Sequence, residues 1–507
     1  MTSSGEVRCG HLRTLHMVLA FGLSLTSTAQ KRNSHWAIAG KNLESYPGSL
    51  IGGMNDNPSV AFSIPHGNSE SSAAISDTSG SLLFYAARGR IFRTSGEEMF
   101  VTFGGYLNLD VTQGQLIIPR PGSSSLYDVL MIDVSPDSTI STLRKPKALH
   151  MVVDITADAG AGAVVSDEVS FGYNFTERLT GTPHANGTDY WVLMHEWKSD
   201  KFLAHQISAD GLDTIPVVSH AGAVHSADYG GCATSSNRQG EMKCSYQGDL
   251  IAVTSLNWIC GSDTLRPGLA QVFHFDDATG LVTYWFTLPM HHQAYGVEFS
   301  QDGGKLYLPG IDSLVRYVDQ YDLLAGDTTA IKDSRTRIFS IPFVGTSSDP
   351  TPSAMELAPN GKIYVTHTGN SLDAINAPNA QGLACDYVQD AILFPNPHNQ
   401  VGHTNQIKRY HDSEFNELHT GFGLVTQPAH FAIWPNPASS SIWLRMPANI
   451  LSPRVRVHDN TGRLLREVVG QGALGGIMDV SGLASGMYTV SLLDDSAVIG
   501  QARLVVQ

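Results

Sequence analysis

Short apolar runs alternate along most of the chain with turns built from Gly, Asp, Asn and Ser. The clearest unit is Ala74-Ile75-Ser76-Asp77-Thr78-Ser79-Gly80, followed by Ser81-Leu82-Leu83-Phe84-Tyr85. It returns as Val297-Glu298-Phe299-Ser300-Gln301-Asp302-Gly303-Gly304 before Lys305-Leu306-Tyr307-Leu308, and as Met355-Glu356-Leu357-Ala358-Pro359-Asn360-Gly361 before Lys362-Ile363-Tyr364-Val365. Weaker copies run from Leu116 to Gly122 with Tyr127 to Leu130, at Asn186-Gly187 with Tyr190 to Leu193, and at Gln247-Gly248 with Leu250 to Val253. Asp-Gly and Asn-Gly tolerate positive φ and close tight hairpins, and the flanking alternation buries one face of each strand. These hairpins recur at roughly 40–65 residues, the spacing of propeller blades. A second hairpin often follows, at Phe202 to Ile207 or Val315 to Leu323, which gives about four strands per unit.

One such sheet cannot cover both of its faces. Sheets set radially around an axis can, and closure of the circle leaves few exposed edges. The pattern therefore predicts an all-β chain whose residues 30–427 form a β-propeller, WD-repeat or YVTN-like, with about seven blades. Six copies are visible. A seventh is expected from Trp36-Ala37-Ile38-Ala39 joined to a strand near Thr420 to Val425.

After about Gln427 the character changes. Trp434-Pro435-Asn436-Pro437-Ala438 is a stiff entry, and period-two strands follow at 441–444, 454–458, 464–468, 488–492 and 503–506. In the second of these, Val455 and Val457 face inward while Arg454, Arg456 and His458 face out. Residues 428–507 thus read as a small β-sandwich.

Composition narrows the partners. Charged residues are only 16 % of 507 and the formal net charge is −15, which argues against nucleic acid and against a polybasic membrane patch. Arg8, His11 and Arg13 precede the apolar run Met17 to Leu25, which is too short to span a bilayer. Ser27 and Ala29 are small residues placed for cleavage before Gln30, so residues 1–29 read as a signal peptide. No later run resembles a transmembrane segment. Cys232, Cys244, Cys260 and Cys385 remain after cleavage, and two disulfides or buried free thiols both fit, with Cys232–Cys244 as the favoured local pair.

The sequence offers no persuasive catalytic or metal motif and implies no cofactor. There is no G-x-S-x-G elbow, H-E-x-x-H helix or Walker loop. His195-Glu196 lies in a strand-like run where i and i+4 share no helical face. His184, His220, His225 and the pair His291-His292 are placed to line a channel, but turn and surface positions suit them better. Glu298 and Glu356 occupy equivalent places in two units, which suggests a structural task such as accepting backbone N–H groups. Asp302 has a turn role, and Asp228 completes the carboxylates available to a glycosidase-like pair. Trp191, Trp197, Trp258 and Trp285 are expected mostly in blade cores.

The C-terminal residues carry a resemblance. Trp434-Pro435-Asn436-Pro437-Ala438, then Val457 to Gly462-Arg463, then Asp479-Val480-Ser481-Gly482-Leu483-Ala484-Ser485-Gly486-Met487-Tyr488, then Leu504 to Gln507, resemble a type A sorting domain of the type IX secretion system. Trp434 stands where Tyr or Phe is more usual, and a basic pair near the last strand is reduced to Arg503. The resemblance implies Sec export, an Ig-like tag, interaction with the type IX machinery, and often tag removal with attachment to surface lipopolysaccharide. The body similarly resembles secreted Bacteroidetes propellers of unassigned activity, on Ile75 to Tyr85, Gln115 to Gly122, His184 to Val192, Tyr295 to Ser300 and Leu357 to Val365. That likeness consists of strand and turn positions and names no ligand. The expectation is a secreted or cell-surface, non-catalytic binding module for an unknown glycan or protein. The alternatives are a hydrolase of polysaccharide or a lactone-like ester at the channel mouth, and a surface-layer or adhesive structural protein.

Overall fold

The computed structural model describes residues 28–38, 48–52, 54, 58–64, 70–87, 89–101, 111–133, 146–166, 168–225, 238–256, 268–288, 294–311, 315–342, 353–399, 402–411, 432–434, 438–445, 453–459, 463–469, 477–494 and 497–506. The signal-peptide residues before 28 and the expected domain boundary at 427/428 lie outside them. Ala29 and Gln30 fall in a short 3-10 helix, Thr28–Asn33. The chain divides into two compact units, residues 1–322 with 335–412, and residues 323–334 with 413–507.

In the first unit, antiparallel sheets follow one another in chain order. A three-stranded sheet, Trp36–Ile38, Gly48–Gly52 and Ser59–Ile64, comes first. Six more follow, each opened by an inner strand: Ser72–Ser76, Gln115–Pro119, Phe175–Pro183, Met242–Cys244, Glu298–Phe299 and Met355–Leu357. Four of these have four strands, and those opened by Gln115 and Phe175 carry a fifth paired to their third strand. The six inner strands are buried along their whole length, unlike the half-buried strands of an open antiparallel sheet. Each inner strand lies beside the next, and the last sheet meets the first. There Trp36, Ile51 and Met54 pack with Ala358, Tyr364, Leu372 and Phe394, and Trp36 stands edge-on to Tyr364 with ring centroids 5.7 Å apart. The unit is a β-propeller with seven sheets among the described residues.

The repeated turn carries a positive-φ glycine in all six copies. Gly80, Gly122, Gly187, Gly248, Gly303 and Gly361 all adopt positive φ, between 73° and 95°. Most are closed by the same pair of backbone bonds, as in Asp77 N to Ser81 O and Gly80 N to Asp77 O. A side chain at the head of the turn adds to it. Asp77 accepts from the Ser79 and Ser81 amides, and Ser300 Oγ accepts from Lys305 N at 2.8 Å.

The circle closes differently from the expectation. Thr420 to Val425 lies outside the described residues, and the closing segment is 402–411. Thr404 bridges Ser72 in parallel, and Asn405 N donates to Ser72 O at 2.7 Å. A run containing Asn, Gln, Lys and Arg resembles a surface loop in sequence, yet here Gly402 to Gln406 are buried with Ile407.

In the second unit, Ala432–Trp434, Ser441–Arg445 and Ile477–Asp479 form one sheet, and Leu464–Val469, Pro453–His458, Gly486–Asp494 and Ala497–Val506 the other. They enclose Ile442, Leu444, Val455, Val457, Val490 and Leu504 among others. Val455 and Val457 are buried and Arg454, Arg456 and His458 more exposed, so the alternation sets the register as read. The strands Ala432–Trp434 and Ile477–Asp479 add to those expected.

Candidate functional site

At the inner strands of the propeller the chain supplies its own partner, segment 402–411. Asn405 Nδ2 donates to Gln115 O at 2.9 Å and to Leu179 O at 2.7 Å, while its Oδ1 accepts from Gln113 Nε2 at 3.4 Å. His403 Nε2 meets Tyr364 O at 3.1 Å, Asn33 Nδ2 donates to Ile407 O at 2.8 Å, and His411 Nε2 meets Asp189 O at 2.6 Å. Segment 402–411 therefore reaches inner strands and first turns around the circle.

Three carboxylates and two ammoniums lie buried beside it. Lys408 Nζ pairs with Glu298 and, at 2.5 Å, with Glu356, and Lys243 Nζ pairs with Glu356 at 2.5 Å and Glu241 at 3.4 Å. Their remaining capacity goes to the backbone. Glu298 accepts from Phe299 N and Leu357 N, both at 2.9 Å, and Glu241 accepts from Val297 N at 3.1 Å and Met355 N at 3.3 Å. Glu298 and Glu241 thus tie one inner strand to the next, whereas Glu356 is engaged by Lys243 and Lys408. Burial pushes the Glu241 carboxyl up to about 7, against the pull of Lys243. Burial likewise raises Glu298, whereas for Glu356 it is outweighed by Lys243 and Lys408, which leave that carboxyl low. With three acids facing two bases, burial favours a retained proton on the raised carboxyls, Glu241 and Glu298.

A second cluster lies in the last blade. The hairpin from Ile363–Thr366 to Thr368–Ile375 places His367, Ser371 and Asp373 together, and the long strand Tyr387–Asn399 brings Asp390 to them. Residues 389–391 bulge opposite Asp373, because Ala374 pairs with Val388 and Leu372 with Ile392. Asp390 adopts φ 53° in that bulge, and its amide donates to Asp373 Oδ1 at 2.9 Å. His367 Nε2 lies 3.2 Å from Asp373 Oδ1, 4.0 Å from Asp390 Oδ1 and 3.1 Å from Ser371 Oγ. Tyr387 OH donates to Asp373 Oδ2 at 2.6 Å, and Ser371 Oγ donates to Asp390 Oδ1. The side chains of His367 and Asp373 are buried, whereas that of Asp390 is 62 % exposed. A hydrolytic triad needs its acid and its nucleophile on different ring nitrogens of the histidine. Here both face Nε2, so the cluster is not wired as a proton relay.

Of the histidines proposed for a channel, the three among the described residues do not converge. His184 stacks on Trp191, His220 Nδ1 meets Asp200 Oδ1 at 2.8 Å on an outer strand, and His225 stacks on His195 at 4.2 Å between centroids. His291, His292, Asp228 and Trp258 lie outside the described residues. Trp191 and Trp197 are buried, and Trp285 stacks on His274. The favoured Cys232–Cys244 pair is not formed. Cys244 is a free thiol packed between blades with Phe273 and Ile251, and Cys385 is free and packed beside Tyr307. Burial pushes the Cys244 thiol up to about 12. Cys232 and Cys260 lie outside the described residues.

The C-terminal motif residues have structural tasks. Ala438 is buried and its amide donates to Val505 O at 2.8 Å. Arg463 closes a hairpin, its amide donating to Asp459 Oδ1 at 3.0 Å. A Cβ on Gly482 would lie 2.8 Å from Arg466 Nη2. Leu483 N donates to Val480 O, and Leu483 packs on the sandwich core. Gly486 opens the next strand, where Tyr488 OH reaches back to Ala484 O at 2.5 Å, fixing the corner. Trp434 ends the first strand, and Pro435, Asn436, Pro437 and Gly462 lie outside the described residues. Residues 432–507 match the secretion system C-terminal sorting domain family. The chain therefore carries a type IX sorting domain, engages the type IX secretion machinery, and is exported to the cell surface or secreted. Among the described residues, no helix is long and apolar enough to cross a membrane.

No curated protein matches the chain in sequence. Among solved structures it is similar to a putative 6-phosphogluconolactonase from Bacteroides fragilis, at 12 % identity and TM-score 0.44, over 73 % of this chain and 98 % of that one. It is similar to a functionally unknown protein from Desulfotomaculum acetoxidans, at 12 % and 0.41, over 74 % and 99 %. The periplasmic gluconolactonase of Pseudomonas aeruginosa gives 12 % and 0.36, over 94 % and 100 %. Likeness at this level carries no argument about activity.

Proposed function

We propose that the propeller is a non-catalytic binding module, presented on or released from the cell surface by its sorting domain, that recognises a glycan or protein through its outward loops. The observation that supports this reading is segment 402–411 seated against the inner strands. In a propeller hydrolase the channel mouth is the natural place for a pair of opposed carboxylates. Here Glu241, Glu298 and Glu356 are buried and paired with Lys243 and Lys408, and Glu241 and Glu298 also accept from backbone amides. None is offered to a substrate. Attachment to surface lipopolysaccharide after sorting belongs to the same reading. The test is to probe glycan and peptide arrays with the exported protein and assay the same ligands for turnover. Saturable binding without product is the expected result, and product release would overturn the reading in favour of the hydrolase.

A further inference from the structure

We propose that His367, Asp373 and Asp390 form a binding site for one divalent transition-metal ion, of which zinc is the case to test. It is a group of His and carboxylate side chains, found among the described residues, whose donor atoms lie within 4.8 Å of one another.

The first argument is a convergence of negative charge, two carboxylates meeting at one imidazole. His367 Nε2 faces Asp373 Oδ1, Asp390 Oδ1 and Ser371 Oγ together. A single ring N–H satisfies one of these in a linear hydrogen bond, and the Ser371 hydroxyl serves Asp390. Two carboxylates therefore converge on one nitrogen that neutralises them only as an imidazolium. A cation at the shared point answers to all of them at once, with Nε2 as a neutral ligand.

The second argument is spacing. Zinc bonded to nitrogen and carboxylate oxygen at about 2.0–2.2 Å in a tetrahedron needs donors about 3.3–3.6 Å apart. The two separations from His367, 3.2 Å and 4.0 Å, bracket that range, and all three donors lie within 4.8 Å of one another, so binding draws the carboxylates together around the ion. The third is support and access. Asp373 is oriented by Tyr387 OH and by the Asp390 amide, in the way ligating carboxylates are usually held. Asp390 is exposed, which leaves an entry path and room for water as a further ligand. One imidazole with two carboxylates suits zinc or manganese better than a thiolate-seeking ion.

The ion would clip the outermost strand of the last blade to its central hairpin. That blade packs against Trp36 and the first sheet. The proposal is independent of what the propeller binds.

The test is metal content and calorimetry on the untagged, exported protein titrated with zinc chloride alone. The expected result is one equivalent bound, a higher melting temperature with zinc, and affinity lowered about tenfold or more in Asp390→Asn. Asp390→Asn alters an exposed side chain, and unchanged circular dichroism verifies its fold. His367→Gln should abolish the site. In the cobalt-loaded protein the visible absorption band should disappear in the same variants. Absence of stoichiometric zinc, or equal affinity in the wild type and in Asp390→Asn, would overturn the proposal, the latter by placing the ion on other histidines.

Discussion

The buried carboxyl of Glu241 makes a pH-dependent contribution that a single substitution removes. Its ordinary value of 4.5 is pushed up to about 7 by burial in the fold. Below 4.5 both folded and unfolded chains hold this proton. Between 4.5 and 7 the folded chain keeps it while the unfolded chain releases it, so stability falls as pH rises through that window. The full displacement corresponds to about 3 kcal/mol at 1.36 kcal/mol per tenfold change in proton affinity. Glu241→Gln retains an oxygen for the Val297 and Met355 amides and has no proton to lose. The assay is guanidinium unfolding of both proteins from pH 4.5 to 8.5, with the propeller transition fitted apart from that of the sorting domain. Buried His195 and His403, both lowered to about 3, act in the opposite sense. They gain protons on unfolding in acid, and they cancel when the two proteins are subtracted. The variant should gain most of that 3 kcal/mol over the wild type between the ends of the range. A difference that stays flat with pH would refute the assignment of a retained proton to Glu241.

Lys408→Met leaves Glu298 and Glu356 short of one ammonium, and should cost about 3–5 kcal/mol, read as a lower denaturation midpoint and partly recovered by adding Glu298→Gln. Gly402→Ala drives a Cβ into the Glu70 carbonyl, so the closing segment cannot seat; loss of more than about 3 kcal/mol in a thermal melt is expected. Removing residues 432–507 should leave the propeller in the periplasm, which immunoblots of medium and cell fractions will show. Alkylation before and after unfolding should find Cys244 protected in the native protein and reactive in the denatured one.

The repeated hairpin was readable because it is local. Gly at a fixed offset after Asp, Asn or Ser determines the backbone, and six positive-φ glycines stand where the pattern puts them. Val455 and Val457 were readable for the same reason, since a period of two needs no distant partner. Glu298 and Glu356 were half readable: their equivalence marked them, but the lysines they pair with come from residues 243 and 408. Segment 402–411 was not readable at all. Buried Asn405 and Lys408 are polar, and only the strands surrounding them supply the carbonyls and carboxylates that make such burial tolerable. The His367 cluster was hidden similarly, because Asp390 arrives through a bulge that no turn signal announces.

Segment 402–411 is also the last described part of the propeller to emerge when the chain is delivered from its N-terminus. Asn33 must wait for a carbonyl 374 residues downstream. Until then Lys243 alone faces the three glutamates, and the seven sheets stand as an arch without its keystone. A chain truncated before residue 402 would keep every blade but lose this lock together with the sorting domain, so unfinished copies differ from complete ones in stability as well as in export.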